Sequence, residues 1–523
     1  MFSMNGIAGK SVKRTLQRPP GGHAQGKATK PLPCASHPVQ NVHMIPPLSC
    51  RTLFAGIWIY WGILTGIAPS LIWTTDAEQP QRANVLMITI DDLNDWVECL
   101  GGHPQARTPN INALAKRGIL FSNAHCQAPV CNPSRVSFMT GVRPSNSGIY
   151  QNSDRFRTSE RLKDAITLPQ HFAANGYVSM GCGKLFHASR GKENFMIYGP
   201  SGGQGPLPIT RLNCPTEQSK SKLWDWGVFP EKESAYHDVI NSIWTAKQLE
   251  RPREKPFFLG LGFYRPHVPF FAPQRFRDQH PIETIQLPRV HEDDMADVPA
   301  FARSLTENPL PPDHAWFVES GQWKKAVQSY LAAVSFVDDC LGRVIRSLDA
   351  GPYRENTWIV LFSDHGFFLG EKQRWAKQSL WERATRVPLI MVPPRSASSR
   401  WMVGKTCRAP VELLSLYPTL TEICGIREGK HLDGHSIAPL LRQPEQEWDF
   451  PAITTYQRGN HSLRLPGLRY TRYADGSQEI YDLRQDPHEW HNLTASSPLA
   501  KDISKKLGAL FPVHDAFAPG MQP

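Results

Sequence analysis

Ten cysteines occur in 523 residues, yet no two stand in a Cys-x-x-Cys pair, so the zinc-finger spacings are excluded. No internal repeat or extended low-complexity tract is present, which removes solenoid and fibrous architectures. Acidic residues are missing altogether from residues 1–75, where seven Lys and Arg residues stand alone. That stretch holds most of the net charge of +11, and the remaining excess is unremarkable for a chain of this size. No basic face with interleaved aromatics follows. Nucleic acid is thereby excluded as a partner. With 40% hydrophobic and 20% charged residues, what remains is a globular protein long enough for one large domain and a smaller unit.

Charge is also absent from Thr52 to Thr75, and Leu53–Trp73 within it is strongly apolar. Arg51 precedes this run, and Thr75-Asp76-Ala77 follows with a small residue in place. A short basic flank, an apolar run and a cleavage point near Ala77 describe a signal peptide, and the 21 residues also suffice for an uncleaved membrane anchor. Polar, unpatterned residues on both sides argue against a helix of the folded domain. Met44, shortly before the run, is an alternative start to Met1. Either way the chain is expected to be exported, as a periplasmic, secreted or membrane-anchored protein with no other membrane contact. Cys34 and Cys50 fall in the part expected to be removed. Cys407 and Cys424 could pair in an oxidising compartment, and buried free thiols fit the remaining cysteines equally well.

After residue 77, apolar β-rich runs alternate with helical stretches, the pattern of an α/β fold with a large, mostly parallel sheet flanked by helices. Strands are expected at Val85–Ile90, Tyr177–Gly181, Pro256–Phe263, Trp358–Phe362 and Pro388–Val392. Helices are expected at Asn110–Arg117, Lys324–Leu348 and Pro410–Cys424. In the second of these, Val327, Tyr330, Leu331, Val334, Val337, Leu341, Val344 and Ile345 share one face at helical spacing. Residues 200–230 and 270–320 are rich in proline and polar residues and read as long loops that shape access to a site. Further on, short strands take over: Leu468–Tyr473 and Glu479–Leu483 flank an Asp475-Gly476 turn, and a helix follows around Ala500–Phe511. The expected organisation is an N-terminal extension with the signal or anchor over 1–77, a main domain over 78–445, and a smaller α+β subdomain of antiparallel strands and a helix over 446–523.

Polar residues with chemical potential follow four of these strands. Asp91-Asp92 follow NVLMITI, Lys184 and His187 follow YVSMGCG, Arg265-Pro266-His267 follow PFFLGLGF, and Asp364-His365 follow WIVLFS. In an open α/β sheet ligands bind beyond the carboxyl ends of strands, so four such tails point to one crevice. Adjacent carboxylates repel one another, and a bound divalent cation relieves that repulsion. The donors Asp91, Asp92, Asp364 and His365 are dominated by oxygen, which favours Ca²⁺ or Mg²⁺ over zinc. Alone, an Asp pair after a strand is an ordinary helix cap and turn. The Asp364-His365-Gly366 tail of a second strand tips the reading to metal.

Gln127–Gly141 reads QAPVCNPSRVSFMTG. A short helical run over Ser134–Thr140, capped by Gly141, sets Cys131 at a helix N-terminus, where backbone N–H groups and the dipole favour an anion. A lone cysteine is ordinarily a small buried hydrophobe. Here Cys131-x-Pro133-Ser134-Arg135 resembles the signature of the sulfatase family, whose cysteine is oxidised to formylglycine. The resemblance spans nearly the whole mature chain, through TPNINALAKRGILFSNAHCQAPVCNPSR, SDHGFFLGE, VPLIMVPP, VELLSLYPTLTEICGI and LDGHSIAPLL. Within the family, GKLFH, YRPHVPF, YLAAVSFVDD and RWAK are most similar to the iduronate-2-sulfatase group.

The resemblance implies an alkaline-phosphatase-like fold and a sulfuric ester hydrolase acting on a sulfated sugar or polysaccharide. Position by position it implies that Asp91, Asp92, Asp364 and His365, with the modified Cys131, hold Ca²⁺ (Mg²⁺ being the alternative). Arg135, Lys184, His187, His267 and Lys377 would surround the sulfate. A formylglycine-generating maturation enzyme is then a required partner. A hydrated aldehyde carries two hydroxyls on one carbon: the first attacks sulfur, helped by the metal, and the second, once deprotonated, re-forms the carbonyl and expels sulfate by C–O cleavage. Lys184, Lys377 and Arg135 would offset charge on the sulfuryl oxygens. His267, with Lys377, would protonate the leaving alcohol, and His187 would assist the hydrate.

Val142, Tyr264 and Phe367 depart from residues common in the family or in the iduronate group. All three are expected near the substrate rim, which leaves the substrate open. A choline-sulfatase-like enzyme shares most of these motifs. A phosphate or phosphonate monoester hydrolase shares the sheet and the metal carboxylates, but the complete cysteine signature argues against phosphatases. A non-enzymatic sulfated-glycan-binding protein with a degenerate site is opposed by the presence of every candidate ligand and both lysines.

Overall fold

The computed structural model describes residues 82–521, apart from 189, 202 and 495–498, so the expected signal or anchor segment lies outside the described residues. No helix among them is long and apolar enough to cross a membrane. Nine strands form the main sheet, whose long strands run in the order 119–125, 386–392, 357–363, 84–90, 257–263, 178–183 and 197–201. All pair in parallel except Arg386–Val392, which is antiparallel to both neighbours. The mostly parallel α/β sheet is as expected, and the five expected strands are present with ends shifted by one or two residues.

The central strand Asn84–Ile90 shows why its sequence is almost wholly apolar. Leu86, Ile88 and Ile90 enter one core and Val85 and Met87 the other, so both faces are buried at the two-residue period of a strand. Helices Pro109–Arg117, His237–Glu250 and Gln322–Ala350 supply the first core; Cys131–Thr140, Leu168–Ala174 and Leu416–Ile423 supply the second. The long helix buries the apolar stripe read from its sequence and ends before Gly351-Pro352, where a proline cannot continue it.

One expected helix needs correction. Pro410–Cys424 is not one helix: Val411 and Glu412 pair with the strand Ile119–His125, and the helix starts only at Leu416. That strand was itself hidden in the sequence, because Ser122 and Asn123 interrupt its apolar run. Their side chains donate to the carbonyls of Cys407 and Arg408 at 3.3 and 3.1 Å, a long-range pairing without local trace. The C-terminal region forms a separate four-stranded antiparallel sheet, Ala452–Thr455, His461–Leu465, Leu468–Arg472 and Gln478–Asp482. Its Asp475-Gly476 turn places Gly476 at φ 87°, and the helix Leu499–Leu507 follows. All eight described cysteines are free thiols, so Cys407 and Cys424 are unbridged.

One buried histidine ties the 270–320 segment to the long helix. The His280 ring bonds the Ser335 hydroxyl at 3.0 Å, and burial, with Arg107 and His103 nearby, pushes its imidazole down to about 4. A histidine held neutral in the folded state binds fewer protons there than in the unfolded chain between pH ~4 and ~6.5. Its contribution is therefore present above the unfolded value and lost as pH falls through that window, about 2–3 kcal/mol in all. His280→Gln is expected to flatten the loss, measured as the change in urea midpoint between about pH 7.5 and about pH 5. Equal losses in both proteins would exclude His280 as the cause.

Candidate active site

Because their strands run parallel, Asp91 and Asp92, Lys184, His267, and Asp364 with His365 all emerge at one edge of the sheet. On an extended strand two successive carboxylates would point to opposite faces. Asp92 instead takes φ 59°, a costly conformation for a non-glycine residue, so the chain turns directly after the strand. Gly183 serves the neighbouring strand end: its φ is 73°, and a Cβ there would overlap the Gly262 carbonyl. Only glycine permits that approach, which delivers Lys184 to the site.

Cys131 opens the helix Cys131–Thr140, whose ten residues are all buried, and Gly141 at φ 72° closes it by donating to the Ser137 carbonyl. The signature residues beside Cys131 bind the strand ends. Ser134 donates its hydroxyl to the Asp364 carbonyl at 2.6 Å, and Arg135 Nε donates to Asp364 Oδ2 at 2.8 Å. The Arg135 guanidinium also lies 3.3 Å from Asp91 and donates to the Lys184 carbonyl. Arg135 is fully buried, so its position supports the carboxylates rather than forming the cavity wall.

The Cys131 sulfur is the centre of the cluster. It lies 3.3 Å from His365 Nε2, 3.4 Å from Lys377 Nζ, 3.6 Å from Asp91 Oδ1 and 3.8 Å from Lys184 Nζ. Lys184 also pairs with Asp91, and Lys377 with Asp92. His365 Nε2 is 3.5 Å from both Asp92 Oδ1 and Asp364 Oδ2. His267 Nε2 is 3.9 Å from Asp92 Oδ2, while its Nδ1 bonds the Val268 carbonyl at 2.6 Å. His187 faces the same sulfur, and its Nδ1 is buried without a hydrogen-bond partner among the described residues. Every site residue named from the sequence is therefore in this one place.

Charge decides the protonation states. Burial alone would raise the Cys131 thiol, but Lys184, Lys377 and His365 overcome it and hold the group well below the ordinary thiol range. Burial and the Cys131 sulfur also press Asp91 upward, yet Lys184, His267 and Arg135 keep its carboxyl well below the usual range. Asp364 goes the other way, pushed by burial up to about 7 despite Arg135 and His365. The ligand atoms of Asp91, Cys131, Asp364 and His365 lie within 4.8 Å of one another, and those of Asp91, Asp92, Cys131 and His267 form a second such group. Asp92 Oδ2 is buried with no hydrogen-bond partner among the described residues. Buried carboxylates with an orphaned oxygen fit a hard divalent cation.

Above the cluster opens a cavity of about 330 Å³ with Asp92, Lys184, His187, His267 and Lys377 in its floor and walls. The two loop segments expected to shape access do so: Gln204 and Trp224 come from the first, Asn308 and Leu310 from the second. Tyr264 and Phe367 line it as expected, but Val142 does not. Val142 borders a different cavity, and Arg143 beside it is held by Glu412 at 2.6 and 2.8 Å. The sequence reading missed Asn152, Trp224, Asn308 and Gln378 as wall residues. Their segments lack periodicity, so no local signal marks which side chains turn inward.

The mostly parallel sheet, with carboxylates at its strand ends gathered around a cysteine at a helix start, has the alkaline-phosphatase-like fold. The sulfatase family profile matches residues 83–426, and the profile described as N-sulphoglucosamine sulphohydrolase, C-terminal, matches 370–511. The chain is 40% identical to a sulfatase of Formosa agariphila, covering 87% of this chain and 92% of that one. It is 33% identical to iduronate 2-sulfatase of Homo sapiens, covering 86% and 97% respectively. A solved structure in complex with its substrate D-glucosamine-2-N,6-O-disulfate shares the fold, with TM-score 0.65 at 20% identity over 82% of this chain and 97% of that one. The chain belongs to the sulfatase family and is an enzyme that hydrolyses sulfate esters. The family uses formylglycine and a divalent metal, and the buried donor cluster suits such an ion.

Proposed function

We propose that this sulfatase removes sulfate from a sulfated carbohydrate, with 2-O-sulfated uronates as the first substrate class, in the manner of its iduronate 2-sulfatase relatives. The observation that carries the reading is the ring of Asp91, Lys184, His365 and Lys377 within 3.8 Å of the Cys131 sulfur. Asp91, Asp92, Asp364 and His365, with the modified Cys131, would hold calcium, which supplies Lewis acidity there. Formylglycine at Cys131 supplies an oxygen nucleophile and, on the same carbon, the means of releasing sulfate. Lys184 and Lys377, both largely buried in the cavity floor, offset negative charge on the sulfuryl oxygens, and burial strengthens such pairs. Arg135 keeps Asp91 and Asp364 in place. An export signal in the first 77 residues and a maturation enzyme for Cys131 belong to the same proposal.

His267 is proposed as the acid for the leaving alcohol, supported by Nε2 facing Asp92 while Nδ1 is fixed on the Val268 carbonyl. His267→Ala is expected to lower kcat on a sulfated sugar by about 10²–10⁴-fold, with much less effect on an aryl sulfate, whose phenolate leaves unaided. Lys184→Ala is expected to weaken binding and turnover of both substrates. Steady-state kinetics on both substrates check the pair. Equal damage to both by His267→Ala would make it a sulfate-binding or structural residue. Rates of the matured enzyme on 2-O-sulfated uronate disaccharides, other sulfated glycans, choline sulfate and a phosphate monoester test the substrate class. Preference for choline sulfate or the phosphate ester would overturn the carbohydrate reading.

A further inference from the structure

The sequence block YLAAVSFVDD has no role in the chemistry above, yet its first residue touches the cluster from behind. Tyr330 is fully buried in the long helix, among the rings of Trp96, Phe270 and Phe367. A phenylalanine would fill the same space. The hydroxyl therefore needs its own explanation, since burying one in an apolar core is unfavourable unless it is hydrogen-bonded. It donates to the Asp92 carbonyl at 2.8 Å and accepts the Asn94 N–H at 3.1 Å. The strand ends at Ile90, so no sheet ladder can satisfy these two backbone groups. Asn94 continues the chain of contacts: its side-chain amide donates to the Phe367 carbonyl at 3.0 Å, and its Oδ1 accepts the Trp96 N–H at 3.0 Å.

We infer that Tyr330 and Asn94 form a clamp that holds the left-handed turn at Asp92 and ties it to the Asp364–Phe367 turn, making them positioning residues for the metal carboxylates. The inference rests on reading the carboxylate cluster as a divalent-metal site. Without the hydroxyl, the Asp92 carbonyl and the Asn94 N–H are left unpaired in the core. Asp92 then relaxes from φ 59°, and its carboxylate moves away from His365. The hydroxyl of Ser363, which accepts the Leu93 N–H at 3.0 Å, remains as a second tie and keeps the fold.

The test is a calcium titration by calorimetry on the full matured chain stripped of metal by chelation, comparing the parent protein with Tyr330→Phe. Loss of a group supporting a metal ligand is expected to weaken calcium binding by about 10–100-fold. Tyr417→Phe is the control: that buried hydroxyl donates to the Ile166 carbonyl at 3.1 Å, remote from the cluster, and its loss should leave affinity unchanged. Unchanged affinity in Tyr330→Phe, or equal weakening in Tyr417→Phe, overturns the clamp. If Tyr330→Phe does not fold, Asn94→Ala is read in the same way. Failure of the parent chain to bind calcium overturns the metal reading itself, a result distinct from a parent that binds and a variant that binds equally well.

Discussion

Cys131→Ala protein is expected to retain its fold and lose sulfatase turnover by on the order of 10⁵–10⁶-fold, the scale on which removing a nucleophile collapses a catalytic set. The side chain is small and buried at the first turn of a helix, so truncation removes few contacts. What it removes is the atom that Lys184, Lys377, His365 and Asp91 all face. Cys131→Ser is expected to stall as well, because a single hydroxyl can accept sulfate but cannot expel it by re-forming a carbonyl. The companion measurement is the mass of the tryptic peptide Gly118–Arg135 from active enzyme. It should be about 18 Da lighter than the dithiol form, since oxidation of one CH₂SH to an aldehyde accounts for that difference. Full activity with both Cys126 and Cys131 as thiols would end the formylglycine mechanism.

Removal of the metal is the second large effect. Exhaustive chelation is expected to reduce turnover by about 10³-fold or more, since a Lewis acid contributes several kcal/mol of transition-state stabilisation. Calcium, or magnesium less well, should restore it. Asp92→Asn should raise the calcium concentration needed, because it removes the negative charge from a carboxylate whose Oδ2 has no hydrogen-bond partner among the described residues. Asp364→Asn is the less clean variant, as it also removes the charged partner of Arg135 Nε at 2.8 Å and leaves that buried guanidinium to Asp91 at 3.3 Å, a weakened buried ion pair that costs stability. Metal analysis should find one divalent ion per chain. Two tightly bound zinc ions would favour a phosphatase in place of the sulfatase mechanism.

Much of this was legible in the residue order because the features concerned are local. Strands buried on both faces must be continuous apolar runs, and Asn84–Ile90 and Thr357–Ser363 are such runs. A helix with one buried stripe must repeat at helical spacing, as Gln322–Ala350 does. Polar residues set directly after those strands could be named without a structure, because parallel pairing leaves them nowhere to go but one edge. The cysteine signature is contiguous for a related reason: one helical turn must present Cys131 while Ser134 and Arg135 reach Asp364.

What depended on distant partners was not legible. The strand Ile119–His125 exists because its backbone pairs with Arg386–Val392, Thr406–Cys407 and Val411–Glu412, all far along the chain, and the start of the expected helix at Pro410 became a strand through the last of these pairings. The cavity walls come from loops whose inward residues are chosen by packing alone, so Trp224 and Asn308 joined the site unannounced while Val142 left it. Tyr330 was readable only as part of an apolar stripe. That its hydroxyl meets Asp92 follows from where the long helix crosses beneath the strand ends, 238 residues away in the chain. The sequence by itself determined the class of chemistry, because reactive groups must be present and locally ordered. The tertiary structure alone decided which side chains shape the substrate and which hold the reactive ones still, because those roles are relations between surfaces far apart along the chain.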